Sequence, residues 1–452
     1  MKRIFSAIIL LAVIAASFSG CSGQFYKPVE SLMKPPSFSG MNEALIDAFK
    51  NHAGENAVFS PPSGGDHKSA VVTEDIDSDG REEALIFYSQ KNEGDARVSF
   101  FDYIDGAWRN IADFGGSGDS VDSVKFVDMD GNGEAEVLVS WKVGTTSGRI
   151  LSVYVAYSDS FKSTYKEIAN ESYEIMTCAD FDSDGLDEAF IISRTVGASG
   201  NQCTGKMLKY NSDSIVVAGN VSLDANVSKY TSIKTEKTDE NSPMRVYVDA
   251  LKGNEQMITE VVYWNKESGE LVAPFLDSET MTNSATLRYQ PVGCMDINND
   301  GTIDIPVQTI MLPVDTSDFY VDLVAQATFQ EIYLTEWMNV SGNKLVTVEY
   351  SVINSQNSYM FLLEEHEIGT IYVKSRTENC WVFYAYDEQS KSGSDLFSVL
   401  SIPEDEWNEK SYEQYAVLYE GDNIICAYIS SAGKAIGIDS LKLSQRVMYL
   451  KL

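Results

Sequence analysis

The sequence predicts a mainly β fold: a β-propeller whose strands are joined by acidic DxDxDG loops, followed by a small α+β domain. Three observations predict it. A nine-residue acidic pattern occurs four times, its copies recur at a nearly constant interval, and strand-like runs follow each copy. The copies are DIDSDGREE (75–83), DMDGNGEAE (128–136), DFDSDGLDE (180–188) and DINNDGTID (296–304).

The N-terminus, residues 1–20, has the pattern of a secretory signal peptide. Lys2 and Arg3 precede an apolar run from Ile4 to Ala16, which is too short to span a membrane. The next residues, FSGC, resemble the lipobox of bacterial lipoproteins, whose cysteine receives a diacylglyceryl group. The resemblance implies lipidation of Cys21 and an anchor made of acyl chains. The alternative is an ordinary signal peptide that is cleaved nearby and leaves Cys21 unmodified.

Residues 21–40 are rich in Pro, Ser and Gly, which is typical of a flexible tether. Residues 41–52 follow with apolar side chains at helical spacing, at Leu45, Ile46 and Phe49. We therefore expect one short helix that leads into the first blade.

Charge and composition exclude several classes of function. The chain has 67 acidic and 34 basic residues among 452, a net charge of -33, which argues against nucleic-acid binding and favours cations as partners. Three histidines stand singly, and the cysteines beyond Cys21 show no CxxC spacing. The sequence therefore predicts no catalytic residues, no organic cofactor site and no His- or Cys-ligated metal.

The acidic copies begin 53, 52 and 116 residues apart. Because the last interval is about twice the others, a degenerate copy is expected near residue 238, where KTDENSPMRVYV lacks the DxDxDG order. Each copy leads into an apolar run, and the first three are then followed by a polar turn and a second apolar run. A period of this length predicts one propeller blade per repeat, and about five blades over residues 41–345.

The residue types at fixed positions of the loop are those that calcium prefers. This ion takes six to eight oxygen ligands, which side chains at positions 1, 3, 5 and 9 and a backbone carbonyl at position 7 can supply. Gly at position 6 permits the sharp turn. The predicted calcium ligands are Asp75, Asp77, Asp79, Arg81 and Glu83; Asp128, Asp130, Asn132, Glu134 and Glu136; Asp180, Asp182, Asp184, Leu186 and Glu188; and Asp296, Asn298, Asp300, Thr302 and Asp304.

Two alternatives compete with this interpretation. An EF-hand or dockerin loop needs a carboxylate at position 12, where this chain has Ile86, Val139, Ile191 and Val307, all inside strand-like runs. A set of acidic turns without metal would bring several carboxylates together with no cation to offset their repulsion. Recurrence at a fixed period favours calcium over both.

The loops and their spacing resemble the FG-GAP/VCBS repeat family, whose members form β-propellers related to the head of integrin α chains. The resemblance covers about residues 68 to 345. It implies a structural calcium ion at each loop, which stiffens a hairpin at the edge of a blade. The FG and GAP elements themselves are not evident, so the resemblance implies no ligand site.

Beyond residue 345 the acidic pattern stops. Strand-like runs, a helix-like stretch after Pro403 and a further strand predict a C-terminal α+β domain over residues 346–452. The alternative is a pair of metal-free blades that would complete a seven-bladed ring.

Together these features predict a secreted protein that is lipid-anchored at the outer face of a bacterial membrane. We expect its calcium-stabilised propeller to bind an extracellular polysaccharide or protein. One alternative is a hydrolase or lyase that acts on polysaccharide, with carboxylates gathered in a central cleft. Another is a passive factor in envelope assembly.

Overall fold

The computed structural model describes residues 40–450 except 92–93, 145–147, 160–161, 198–199, 254–255, 312–330, 388–391 and 409–410. The predicted signal peptide, Cys21 and nearly all of the predicted tether lie outside this range. None of the described helices is long and apolar enough to cross a bilayer.

The first element is helix α1 (Gly40–Ala53), which confirms the helix expected over residues 41–52. Leu45 and Phe49, one turn apart on the same face, are buried against the first sheet. The helix ends at Gly54, whose φ of 80° suits a residue without a side chain.

Within the described residues, six antiparallel sheets follow the helix, and the first four are formed from consecutive strands. Sheet 1 contains β1 (Ala57–Phe59), β2 (Val71–Glu74), β3 (Glu83–Gln90), β4 (Ala96–Ile104) and β5 (Ala107–Gly115). Sheet 2 contains β6 (Ser120–Val127), β7 (Glu136–Lys142), β8 (Arg149–Asp159) and β9 (Lys162–Tyr173). Sheet 3 contains β10 (Ile175–Ala179), β11 (Glu188–Gly197), β12 (Gly200–Tyr210) and β13 (Ile215–Leu223). Sheet 4 contains β14 (Val227–Glu236), β15 (Arg245–Lys252), β16 (Gln256–Asn265) and β17 (Glu270–Val272).

The last two sheets contain the C-terminal third of the chain. Sheet 5 contains β18 (Ile305–Ile310), β19 (Tyr333–Ser341), β20 (Lys344–Asn354), β21 (Tyr359–Leu363) and, at its far edge, β27 (Val447–Tyr449). Sheet 6 contains β22 (Ile371–Thr377), β23 (Cys380–Asp387), β24 (Ser392–Pro403), β25 (Ala416–Glu420) and β26 (Asn423–Ile429). Two short helices, α2 (Ser431–Ala435) and α3 (Ser440–Ser444), precede β27.

Consecutive sheets pack face to face, in the manner of propeller blades. The second strand of a sheet is largely buried and rich in apolar residues because both of its faces are covered: in β3, Leu85 and Phe87 face sheet 2 whereas Ala84 and Ile86 face α1. Each interface between successive sheets is filled by a hydrophobic cluster with members from both sheets, such as Phe87 and Trp141, Leu138 and Ile191, Phe190 and Val248, Tyr247 and Ile305, and Phe361 and Phe383. The mainly β repeat fold predicted by the sequence is thus present.

The two ends of this row of sheets are covered by other parts of the chain. Helix α1 covers the free face of sheet 1, and the Trp407 and Tyr412 rings stack beside sheet 6, where Tyr415 contacts Tyr428. Among the described residues, no hydrophobic cluster joins sheet 1 to sheet 6.

The C-terminal region differs from expectation. The boundary predicted between residues 345 and 346 falls inside β20, so the hydrogen-bonded ladder of sheet 5 crosses it. The predicted boundary falls too early because each acidic loop lies before the second strand of its sheet. The remaining strands of sheet 5 therefore follow the loop 296–304 and extend to β21. Where a helix was expected after Pro403, the described residues form one 3-10 turn, Glu404–Glu406. A separate α+β domain over 346–452 is not confirmed.

Candidate metal centres

All four acidic loops occupy the same place in the fold, before the second strand of a sheet. Three of them join the first and second strands: 75–83 lies between β2 and β3, 128–136 between β6 and β7, and 180–188 between β10 and β11. The fourth, 296–304, precedes β18, and a single bridge from Met295 to Asp304 takes the place of a first strand. The expected degenerate copy corresponds to the connection 237–244 between β14 and β15.

The backbone of each loop turns at two residues with positive φ. Position 6 is glycine in every copy, with φ of 86°, 90°, 94° and 87° at Gly80, Gly133, Gly185 and Gly301. A Cβ at these positions would meet nothing within 4 Å, so the backbone conformation, and not a lack of space, favours glycine. Position 4 also has positive φ, at Ser78, Gly131, Ser183 and Asn299.

Side chains within each loop hold this turn by accepting backbone hydrogen bonds. The carboxylate at position 1 accepts from the Gly N–H at position 6, over 2.9 to 3.2 Å in the four copies. The side chain at position 3 accepts from the N–H at position 5, and position 5 accepts from position 7. The loop shape is therefore encoded almost entirely within nine residues.

The carboxylate at position 9 is buried at the base of each loop. Glu83, Glu136, Glu188 and Asp304 are at most 3% exposed. Each accepts a hydrogen bond from the N–H of the buried residue at position 2, over 2.7 to 3.1 Å. Burial, partly offset by these hydrogen bonds, raises the pKa of the three glutamates to about 7 and that of Asp304 to about 6. A nearby cation would instead lower the pKa of these carboxylates, because it stabilises their ionised form.

Three loops bring carboxylates together as a metal ion would require. One oxygen from each of positions 1, 3 and 9 lies within 4.8 Å of the others in the sets Asp75, Asp77 and Glu83; Asp128, Asp130 and Glu136; and Asp180, Asp182 and Glu188. The fourth loop has Asn298 at position 3 but keeps the same hydrogen bonds. These clusters could bind a metal ion.

A buried oxygen without a hydrogen-bond partner supports the fit of the fourth loop to a hard cation. Oδ1 of Asp304 is buried and accepts no hydrogen bond, whereas Oε1 of Glu188 lies 3.2 Å from Nζ of Lys209. An unsatisfied buried carboxylate oxygen is costly, and a cation with oxygen ligands would satisfy it. The side chains at positions 1, 3 and 9 would hold such an ion.

Position 5 is less uniform than expected from the sequence. Asp79 faces outward and pairs with Arg81, whose Nε lies 3.0 Å from Oδ2 of Asp79. Asp184 instead pairs with Lys209, 2.6 Å away. The structure assigns no shared role to the position 7 residues Arg81, Glu134, Leu186 and Thr302, of which Arg81 and Thr302 also bond to the position 5 side chain.

Sequence reasoning missed the strand that lies beside each loop. In sheet 1, Ala84 pairs with Phe101, so Asp102 on the third strand lies across from Glu83 at position 9. In sheet 3, Ala189 pairs with Leu208, so Lys209 lies across from Glu188. The same position holds Val155 in sheet 2 and Asn339 in sheet 5. Only the strand register identifies these residues, because their distance from the loop along the chain varies.

Sheet 4 has no acidic loop, and a cleft of about 400 Å³ opens there instead. Asp239 accepts from the N–H groups of Asn241 and Ser242, which makes an ordinary turn. The cleft is lined by aromatic, amide and cationic side chains that include Tyr263, Trp264, Asn241, Asn343 and Arg245. Arg245 is 6% exposed, and its Nε has no hydrogen-bond partner.

No protein-family model matches this chain, and no curated protein matches it in sequence. Solved structures with a similar arrangement include Chaetomium thermophilum Sqt1, with 8% identity, coverage of 78% of this chain and 93% of that one, and a TM-score of 0.32. The periplasmic gluconolactonase PpgL of Pseudomonas aeruginosa has 12% identity, coverage of 76% and 95%, and a TM-score of 0.29. The rhamnogalacturonan lyase PL11 of Bacillus licheniformis has 11% identity, coverage of 75% and 72%, and a TM-score of 0.29. Similarity at this level assigns no activity to this chain.

Proposed function

We propose that this protein is an exported, lipid-anchored binding protein of the FG-GAP/VCBS type, in which calcium ions stabilise propeller blades that present a ligand-binding cleft. The observation that carries the calcium part is the recurrence of one local geometry in four loops. Each loop ends on a buried carboxylate that a backbone N–H orients.

Calcium fits these loops better than the other common metals. The available ligands are carboxylate, amide and carbonyl oxygens, with no histidine or thiol among them, which disfavours zinc and copper. Magnesium would require a stricter octahedral arrangement and usually retains several waters. When bound, calcium would offset the repulsion among the carboxylates of a loop and so stabilise the start of the second strand.

The cleft of sheet 4 supports ligand binding. Tyr263 and Trp264 offer aromatic surface for a sugar ring, and Asn241 and Asn343 offer amide groups for hydroxyls. The guanidinium of Arg245, which lines the cleft, would attract a carboxylate or hydroxyl oxygen. An extracellular polysaccharide, neutral or acidic, matches this combination.

The enzyme alternative would need carboxylates with perturbed pKa values that the metal sites do not explain. A second cleft, of about 110 Å³ between sheets 1 and 2, is lined by Asp77, Glu83, Asp102 and Glu134. Burial is the largest cause that raises the pKa of Asp77, Glu83 and Glu134. All three belong to acidic loops, where a cation would keep them ionised. The binding function is therefore favoured.

The calcium proposal is tested by thermal unfolding in excess calcium, in excess magnesium and in chelator. Binding to the folded state should raise the midpoint, since a ligand at a hundred times its Kd adds about 2.7 kcal/mol per site. Asp128→Asn should reduce the gain, whereas Asp66→Asn, at an exposed position, should not. Equal midpoints of the wild-type protein in calcium and chelator would overturn the proposal.

The binding proposal is tested separately with a glycan array. We expect wild-type protein to retain one class of polysaccharide and Trp264→Ala to lose it. Tyr157→Ala removes an exposed aromatic ring from sheet 2 and serves as the matched control. Binding that survives Trp264→Ala unchanged would place the ligand elsewhere.

A further inference from the structure

One cross-strand position differs in charge among four loops that are otherwise equivalent. It lies on the third strand of the sheet, across from the position 9 carboxylate. The strand registers place Asp102, Val155, Lys209 and Asn339 there, in chain order of the loops. The position therefore carries a negative charge, an apolar group, a positive charge and an amide.

In the third loop the side chain of Lys209 extends into the acidic cluster. Its Nζ lies 2.6 Å from Oδ2 of Asp182, 2.6 Å from Oδ2 of Asp184 and 3.2 Å from Oε1 of Glu188. These are three of the four side chains predicted to ligate calcium in this loop. The lysine ammonium thus places one positive charge where the ion would bring two.

The first loop has the opposite arrangement. Asp102 lines the same cleft as Asp77 and Glu83 and so places a further carboxylate beside them. Its charge contributes to the raised pKa of both, after burial as the largest cause. Arg81 pairs with the exposed Asp79 of this loop.

We propose that this cross-strand residue sets the cation affinity of each loop, and that Lys209 partly neutralises the third loop and makes it the weakest calcium site of the three carboxylate clusters. The inference rests on the proposed calcium function. In the third loop an incoming ion must displace the ammonium from two 2.6 Å contacts, whereas in the first loop Asp102 attracts the ion. In the second loop, Val155 does neither.

To test this ranking, bound metal is first removed from the mature full-length protein in detergent. Calcium is then titrated into the protein, and each binding event is followed by calorimetry. Lys209→Met should tighten one binding event by about tenfold or more, because the ammonium no longer competes. Lys206→Met, on the same strand and paired with Glu171, should change nothing. Asp102→Asn should weaken one event by several-fold, whereas Asp105→Asn, in the exposed β4–β5 turn, should not.

A second measurement keeps the inference testable if Lys209→Met does not fold. Asp182→Asn and Asp130→Asn remove the same position 3 carboxylate from the third and second loops. We expect Asp130→Asn to abolish one of the tighter calcium events and Asp182→Asn to leave all of the tighter events intact. If the two variants lose equally tight events, or if folded Lys209→Met titrates like wild type, the inference is wrong although the calcium function stands. If wild type binds no calcium, both are wrong.

Discussion

The backbone N–H of Met129 donates a 2.7 Å hydrogen bond to Oε2 of Glu136, and both residues are only 3% exposed. Glu136→Ala would leave this buried N–H without an acceptor, which costs about 1 to 3 kcal/mol. We expect the free energy of unfolding, measured with denaturant at pH 6 in chelator, to fall by this amount. At that pH the carboxyl of Glu136 in the folded wild-type protein is largely protonated.

Glu136→Gln separates the hydrogen bond from the charge. An amide oxygen can still accept from Met129, so this variant should unfold like wild type in chelator but gain less from calcium. Glu134→Ala, two residues earlier, is the control and should change the free energy of unfolding by less than about 0.5 kcal/mol. Equal losses for Glu136→Ala and Glu134→Ala would contradict the assigned role of position 9.

The raised pKa values of the position 9 carboxylates predict how stability depends on pH. Because the folded pKa of Glu83, Glu136 and Glu188 is about 7, above the ordinary value, the folded protein binds more protons than the unfolded chain between about pH 4.5 and 7. Their contribution to stability is therefore present below pH 4.5 and is lost as the pH rises through 7.

Calcium requires the ionised carboxylates and competes with these protons. The calcium-induced rise in the unfolding midpoint should be small at pH 5 and large at pH 7.5. Parallel melts in calcium and chelator across this range would measure it, and a rise that does not depend on pH would contradict the buried ligand geometry.

The buried ion pair of Arg288 and Asp249 predicts a strong non-additivity. The guanidinium lies 2.7 Å from Oδ1 of Asp249, and neither side chain is exposed beyond 2%. Arg288→Met alone would leave the buried carboxylate of Asp249 without its ion-pair partner, although Ser232, Thr259 and Cys294 still donate to it, at a cost of about 3 to 5 kcal/mol. The double variant Arg288→Met, Asp249→Leu should be more stable than Arg288→Met. A double variant that is less stable, in unfolding experiments, would show that the ion pair is not the dominant interaction.

The lipid anchor remains a prediction from the sequence, because Cys21 lies outside the described residues. Cys21→Ala should release the protein from the membrane fraction or halt its processing, since two acyl chains are needed for stable anchoring. Cys178→Ala, at a residue of the described fold, is the matched control and should stay in the membrane fraction. An unchanged fractionation of Cys21→Ala would argue for an ordinary signal peptide.

Features that depend on short stretches of sequence were predictable. The acidic loops could be located because their hydrogen bonds join residues within seven positions of one another, such as Ile76 and Glu83. The helix near residue 45 and the apolar second strands followed from periodicity. The extent of sheet 5 could not be predicted, because β20 and β21 carry no acidic pattern and β27 joins them from more than eighty residues away along the chain.

The sequence by itself determined the repeated loops, their turn-forming glycines and the mainly β fold, because these arise from local side-chain and backbone preferences. Only the tertiary structure decided what surrounds each loop. Lys209 reaches Asp184 across 25 residues, and Arg288 reaches Asp249 across 39, through strand register and sheet packing that no local pattern encodes. Those distant partners set the electrostatic environment of each carboxylate, and so they distinguish loops that look alike in the sequence.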